Sequence, residues 1–196
     1  MTEQLVPLIL FAAAMCLSPG PNVVMVVASG ANFGFRRAVP HILGIGIGFG
    51  LMVIAVGLGL SSLLRLAPGL HTAVQYAGAL YLLYLAWRIA TAGAMKRAAA
   101  KAKPIGFLEA ALFQLVNPKG WATIVGALAT YSVVGASLLG QTLLVAGVLS
   151  LACLLSVAAW AAFGAAISGI LTPDRARLFN LAMAGLLIVS LVPVFL

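Results

Sequence analysis

Ser18-Pro19-Gly20-Pro21-Asn22 sets two prolines and a glycine inside an otherwise apolar run, where a membrane span has no ordinary use for them. Each proline lacks a backbone N–H, so the helical bonds to the carbonyls of Met15 and Leu17 cannot form. In hydrocarbon, groups freed in this way cost several kcal/mol unless protein, water or a ligand satisfies them. The chemistry such a break offers is the holding of something polar. Asn117-Pro118-Lys119-Gly120 repeats the pattern further along. Catalysis fits less well, because it needs a nucleophile with a base, or a metal with several ligands. The two histidines lie far apart, Glu3, Glu109 and Asp174 lie near span ends, and there is no H-E-x-x-H. No metal and no cofactor are expected. Cys16 and Cys153 read as two buried thiols rather than a disulfide or a metal pair.

The elements that must position these residues are membrane helices. Of 196 residues, 64% are hydrophobic and 7% charged, and the mean hydropathy is +1.19. Soluble domains are nearer 45–50% apolar and about 25% charged. Six spans are expected: Leu5–Ser29, Ala38–Leu64, Thr72–Ala92, Phe107–Val134, Leu138–Gly169 and Leu178–Leu196. Gly120–Pro173 carries no charge and is too long for one crossing, so Ser132, Gly135, Ser137, Gly140 and Gln141 are read as its turn. The spans are continuous Leu/Ala/Val/Gly runs, not the short alternating segments of a β-barrel. The start does not read as a cleaved signal, since Glu3 is the only charge before the first span.

Basic residues set the orientation. Arg36 and Arg37, then Lys96, Arg97, Lys101 and Lys103, then Arg175 and Arg177 occupy the odd connections; Arg88 joins them, and only Arg65 opposes. The odd connections are therefore expected to be cytoplasmic and both termini outside, in a bacterial cytoplasmic membrane. The net charge of +8 suits anionic lipid and needs no nucleic acid.

The basic stretch Ala94–Lys103, closed by Pro104, divides the chain into three spans plus three. An odd-numbered unit repeated in tandem enters the membrane from opposite sides, as in many secondary transporters. The expected organisation is a three-helix repeat over 1–93, a basic cytoplasmic loop over 94–106 and a second repeat over 107–196. Pro19 lies roughly 21 Å from Leu5 and Pro118 roughly 17 Å from Phe107, both near mid-depth of a core about 30 Å thick. Two breaks meeting there is the pattern of a substrate site. The bland alternative is that both prolines only kink long helices.

Those two motifs together resemble the LysE/RhtB family of amino-acid exporters, as do Gly78 with Tyr81-Leu82 and Leu85-Ala86-Trp87. Gly34-Phe35-Arg36, Gly48-Phe49, Leu85-Ala86-Trp87-Arg88-Ile89-Ala90-Thr91 and Ala102-Lys103-Pro104-Ile105 resemble its cysteine and O-acetylserine branch. The resemblance implies export of an amino acid or a close derivative from the cytoplasm, driven by the proton gradient. Many members carry an acid just after the glycine matching Gly48; here Phe49 stands there, which removes a proton relay at that place.

For an amino-acid substrate, N–H groups at a half-helix start suit the carboxylate, and carbonyls released by the prolines suit the ammonium. Ser18, Pro19, Gly20, Pro21 and Asn22 form one side of the expected site, with Asn22 a cap or direct ligand. Gln114, Asn117, Pro118 and Lys119 form the other. Asn22 and Asn117 serving only the broken backbone is an equal alternative. Lys119, the one charge deep within a span, reads as a counter-ion to the carboxylate or a gate that changes partner, and otherwise as a snorkelling side chain. His41 and Glu109 are weaker candidates for proton coupling, His41 being read by default as a surface group. Gly44, Gly46, Gly48 and Gly50 are read as a close helix contact within the subunit, with a homodimer face as the alternative. Trp87 is read as an interfacial anchor, and Tyr81 as packing or cavity lining. The runner-up functional class is a channel or structural membrane component.

Overall fold

Proline, glycine and serine decide where the helices of this chain begin and end. The computed structural model describes residues 2–60, 68–92, 104–132, 137–170 and 172–192. Helix α1 (Thr2–Leu17) stops at the first break, and α2 (Pro21–Phe33) resumes after it with the axis bent by 57°. Gly34, at φ 81°, takes the left-handed turn that separates α2 from α3 (Phe35–Ala55). A π-type turn, Val56–Leu60, prolongs α3 and contains Gly59 at φ 119°. Helix α4 covers Pro68–Ala92. Helix α5 (Phe107–Phe113) tightens into a 3₁₀ turn, Gln114–Val116, before the second break, and α6 (Pro118–Tyr131) follows it. Ser137 opens α7 (Leu138–Ser168), its Oγ accepting from Gly140 N at 3.3 Å. Helix α8 covers Pro173–Val189.

Several expected limits shift. Apolar helix runs on through Asn32 and Phe33, past the expected end at Ser29, and α3 begins at Phe35 rather than Ala38. Helix α8 begins at Pro173 rather than Leu178, because proline at the first helical position and Asp174 in the first turn make a sound start. Gly140 and Gln141 belong to α7 and not to the turn before it, since the Ser137 cap begins the helix ahead of them. Gly135, Arg65 and the basic residues Lys96, Arg97, Lys101 and Lys103 lie outside the described residues.

Helix α7 is the central strut: α1, α2 and α3 all pack along it, while α3 also packs on α5 and α4 packs on α8. Gly30 and Gly164 allow the closest approach. A Cβ at Gly30 would lie 2.1 Å from the Ala161 carbonyl oxygen, and one at Gly164 2.2 Å from that of Val27. The glycines of α3 serve two neighbours. Gly44 and Gly48 meet Phe107 and Ala111 of α5, whereas Gly46 and Gly50 meet Leu154 and Ser150 of α7. Gln141 and Thr142 are buried near the start of α7, Thr142 against Gly57, and Val26, Ile45, Leu149 and Leu187 are wholly buried.

Large apolar side chains also cover the outside: Leu10, Leu51, Leu80, Leu112, Leu155 and Ile188 are all exposed. Water would penalise that surface and lipid does not. Among the described residues, α3 with its π turn and α7 are long and apolar enough to cross a membrane, and the bent α1–α2 pair makes a third if it is one span. No strand occurs among the described residues.

Candidate functional site

At the first break, side chains replace the missing helical bonds. Gly20 is extended, and Pro21 takes the first position of α2, where an N–H would be unpaired in any case. Ser18 Oγ donates to the Met15 carbonyl at 2.9 Å. Ser156 Oγ, from α7, donates to the Cys16 carbonyl at 2.7 Å. Lys119 reaches over from the second break. Its Nζ donates to the Ser18 carbonyl at 2.5 Å, to Ser18 Oγ at 2.8 Å and to the Pro19 carbonyl at 3.3 Å.

The second break has the same construction. Asn117 is extended, as a residue before proline prefers, and Pro118 takes the first position of α6. Gly20-Pro21 and Asn117-Pro118 thus hold equivalent places. Trp121 Nε1 donates to the Leu115 carbonyl at 2.8 Å.

Gln114 joins the two breaks and is wholly buried. Asn22 Nδ2 donates to Gln114 Oε1 at 2.9 Å, and Gln114 Nε2 returns a bond to Asn22 Oδ1 at 3.1 Å and another to the Ala110 carbonyl at 2.9 Å. Asn22 was expected as a cap or a direct ligand. It sits one residue inside α2 and makes no cap, its amide being engaged with Gln114. Asn117 Nδ2 donates to the same Gln114 oxygen at 3.3 Å. Its own Oδ1 is buried and has no partner.

Between the breaks lies a cavity of about 40 Å³, space for roughly three water molecules. Gly20, Pro21, Asn22 and Val23 line it from the start of α2, and Asn117, Lys119, Gly120 and Thr123 from the start of α6. The remaining wall is Met15 and Cys16 of α1, Phe49 of α3, and Cys153 and Val157 of α7. Two half-helix N-termini and one ammonium therefore face the same small space, with no carboxylate among its described lining residues. The chemistry is that of holding an anion near a cation-binding cage of carbonyls. The thiols of Cys16 and Cys153 adjoin there, and both are free.

The other expected residues fall elsewhere. His41 is not the surface group expected: it is fully buried, because α3 turns it toward α2, and its Nδ1 shares a hydrogen bond of 2.9 Å with Ser29 Oγ. Its Nε2 is buried without a partner. Glu109 pairs with Arg88, accepts from Tyr81 Oη at 3.0 Å and from Gly106 N at 3.4 Å, and so ties α4 to the start of α5. Neither His41 nor Glu109 lines the cavity. Tyr81 packs on Phe113 with ring centroids 5.7 Å apart, and Trp87 is exposed.

Sequence reasoning missed Met15, Cys16, Val23, Phe49, Gly120, Thr123, Cys153 and Val157 as lining residues, and Ser156 as a partner of the broken backbone. Ser156 and Thr123 carried a signal, being hydroxyls inside apolar helices.

A multi-pass helical membrane protein whose two helix breaks share one small cavity has the anatomy of a solute translocator. Comparison with known families identifies it more closely: the chain belongs to the LysE type translocator family, which matches residues 13–195. It is similar to the cysteine/O-acetylserine efflux protein of Escherichia coli strain K12, 33% identical over 104 residues, covering 53% of this chain and 52% of that one. The protein of the same description from Salmonella typhimurium is 31% identical over 103 residues, 53% of this chain and 52% of that one. The matched stretch spans about half the length of these curated relatives. No solved structure matches.

Proposed function

We propose that this chain exports a small amino acid or amino-acid derivative across the bacterial cytoplasmic membrane by alternating access. The meeting of two half-helix N-termini, Lys119 and the unpartnered Asn117 Oδ1 at one cavity carries this reading. The substrate carboxylate sits against the N–H groups that open α2 and α6. The ammonium takes Asn117 Oδ1 and the backbone carbonyls exposed at the break between α1 and α2. The side chain faces Met15, Phe49 and Val157 with the two thiols, a wall suited to small uncharged groups. Substrates of the cysteine/O-acetylserine, threonine/homoserine and leucine types all meet that requirement, and the relatives' description favours the first.

Residues 1–93 and 107–196 act as inverted repeats joined by the basic loop 94–106, with both termini outside. They rock about the paired breaks, while the glycine faces of α3 slide on α5 and α7. The proton gradient drives export, and because the described cavity lining holds no carboxylate, coupling runs through groups outside it, with His41 and Glu109 the candidates.

The test is flux from proteoliposomes loaded with labelled L-cysteine (kept reduced), O-acetyl-L-serine, L-threonine, L-homoserine or L-leucine. Saturable efflux of one or more, accelerated by a proton gradient, is the expected result. Non-saturating channel currents, unchanged by Asn22→Ala or Lys119→Ala, would overturn the reading.

A further inference from the structure

We propose that Lys119 is a tethered stand-in for the substrate's ammonium group, holding the carbonyl cage closed while the transporter is empty. The proposal rests on the export reading above and goes beyond it, assigning the cage as the ammonium subsite and giving Lys119 a part in the return step. A lysine head and an α-amino group are the same chemical object, a compact cation with N–H donors and no acceptor. Lys119 Nζ meets three oxygens, the Ser18 carbonyl, Ser18 Oγ and the Pro19 carbonyl, at 2.5, 2.8 and 3.3 Å. These acceptors belong to the break in α1, whereas Lys119 belongs to α6. Its aliphatic stem lies on Gly20, so close that a Cβ there would stand 2.6 Å from Lys119 Cδ. With the lysine in place, the cavity keeps only about 40 Å³, which is too little for an amino acid.

The consequence concerns the empty carrier. A transporter that returns empty must bury its site without a ligand, and bare carbonyls resist burial. Lys119 satisfies them. An arriving ammonium takes the Ser18 and Pro19 carbonyls instead and gains Asn117 Oδ1, buried at 3% exposure with no present partner. The displaced Lys119 then meets the substrate carboxylate beside the helix N-termini. Net export therefore needs Lys119, while exchange of one substrate for another, which never leaves the cage empty during a crossing, depends on it less.

Labelled L-cysteine, kept reduced, is followed from proteoliposomes into buffer lacking it (net efflux) and into buffer containing unlabelled L-cysteine (exchange). In Lys119→Gln the ratio of net efflux to exchange is expected to fall by about tenfold, the scale of one charge-assisted hydrogen bond. Equal losses in both modes with a raised KM would make Lys119 a plain carboxylate ligand and overturn the proposal, as would an unchanged ratio. A second measurement needs no variant. Cysteamine, which keeps the ammonium and lacks the carboxylate, is expected to compete in wild-type exchange, and N-acetyl-L-cysteine is not. Competition by N-acetyl-L-cysteine as strong as by cysteamine overturns the ammonium cage even if Lys119→Gln never reaches the membrane. Wild-type vesicles carrying neither L-cysteine nor O-acetyl-L-serine would overturn the export reading itself, and the stand-in with it.

Discussion

Asn117 offers the sharpest separation of function from stability among single residues. Its Oδ1 is buried without a partner, and its Nδ2 makes only one long bond, 3.3 Å, to Gln114. An orphaned buried acceptor costs about 1–3 kcal/mol, while a hydrogen bond of ordinary strength contributes about 0.5–1.5 kcal/mol. Asn117→Ala removes both, so thermal stability in detergent is expected to hold or rise. Transport is expected to lose an ammonium acceptor, raising the KM for export by about tenfold, since 1.4 kcal/mol is a factor of ten. A melt and a saturation curve on the same preparation check both halves. A lower melting point with unchanged KM would make Asn117 a structural residue only.

Among the elements, α2 against α7 is the contact least able to give. Gly30→Ala would bring Cβ to 2.1 Å from the Ala161 carbonyl oxygen, where only backbone can move. The expected penalty is about 1–3 kcal/mol or more, read as a lower melting temperature in detergent. Gly147→Ala is the control. It lies on the same α7 with nothing within 4 Å, and it is expected to be neutral or slightly stabilising through helix propensity. Equal effects of the two changes would show that helix propensity, not the α2–α7 contact, governs these positions. This contact was not legible in the sequence, and the helix breaks were. Prolines 19, 21 and 118 announce a missing N–H wherever they stand, and Gly44 to Gly50 repeat often enough to mark a face. Gly30 and Gly164 are single small residues among many. In a chain whose core and lipid-facing surface are both apolar, hydropathy does not tell which side of a helix turns inward. The same ambiguity hid the burial of His41 and the approach of Cys16 to Cys153.

For the whole molecule, the proposed repeats pair elements in chain order: the break α1–α2 with α5–α6, then α3 with α7 and α4 with α8. If the halves are inverted, equivalent positions must lie on opposite faces of the membrane. Arg36, just after α2, corresponds to Ser137, just after α6; Gly69, at the start of α4, corresponds to Arg175, at the start of α8. All four are exposed. With the basic residues on the cytoplasmic side, single cysteines at Arg36 and Arg175 are expected to react with a membrane-impermeant maleimide only in inside-out vesicles. Cysteines at Gly69 and Ser137 are expected to react only in right-side-out vesicles or intact cells. The parent protein, labelled in parallel, subtracts any reaction of Cys16 and Cys153. Labelling of Arg36→Cys and Ser137→Cys from the same face would make the repeats parallel, and the two half-helix N-termini would then have to reach their shared cavity by some other path than entry from opposite sides.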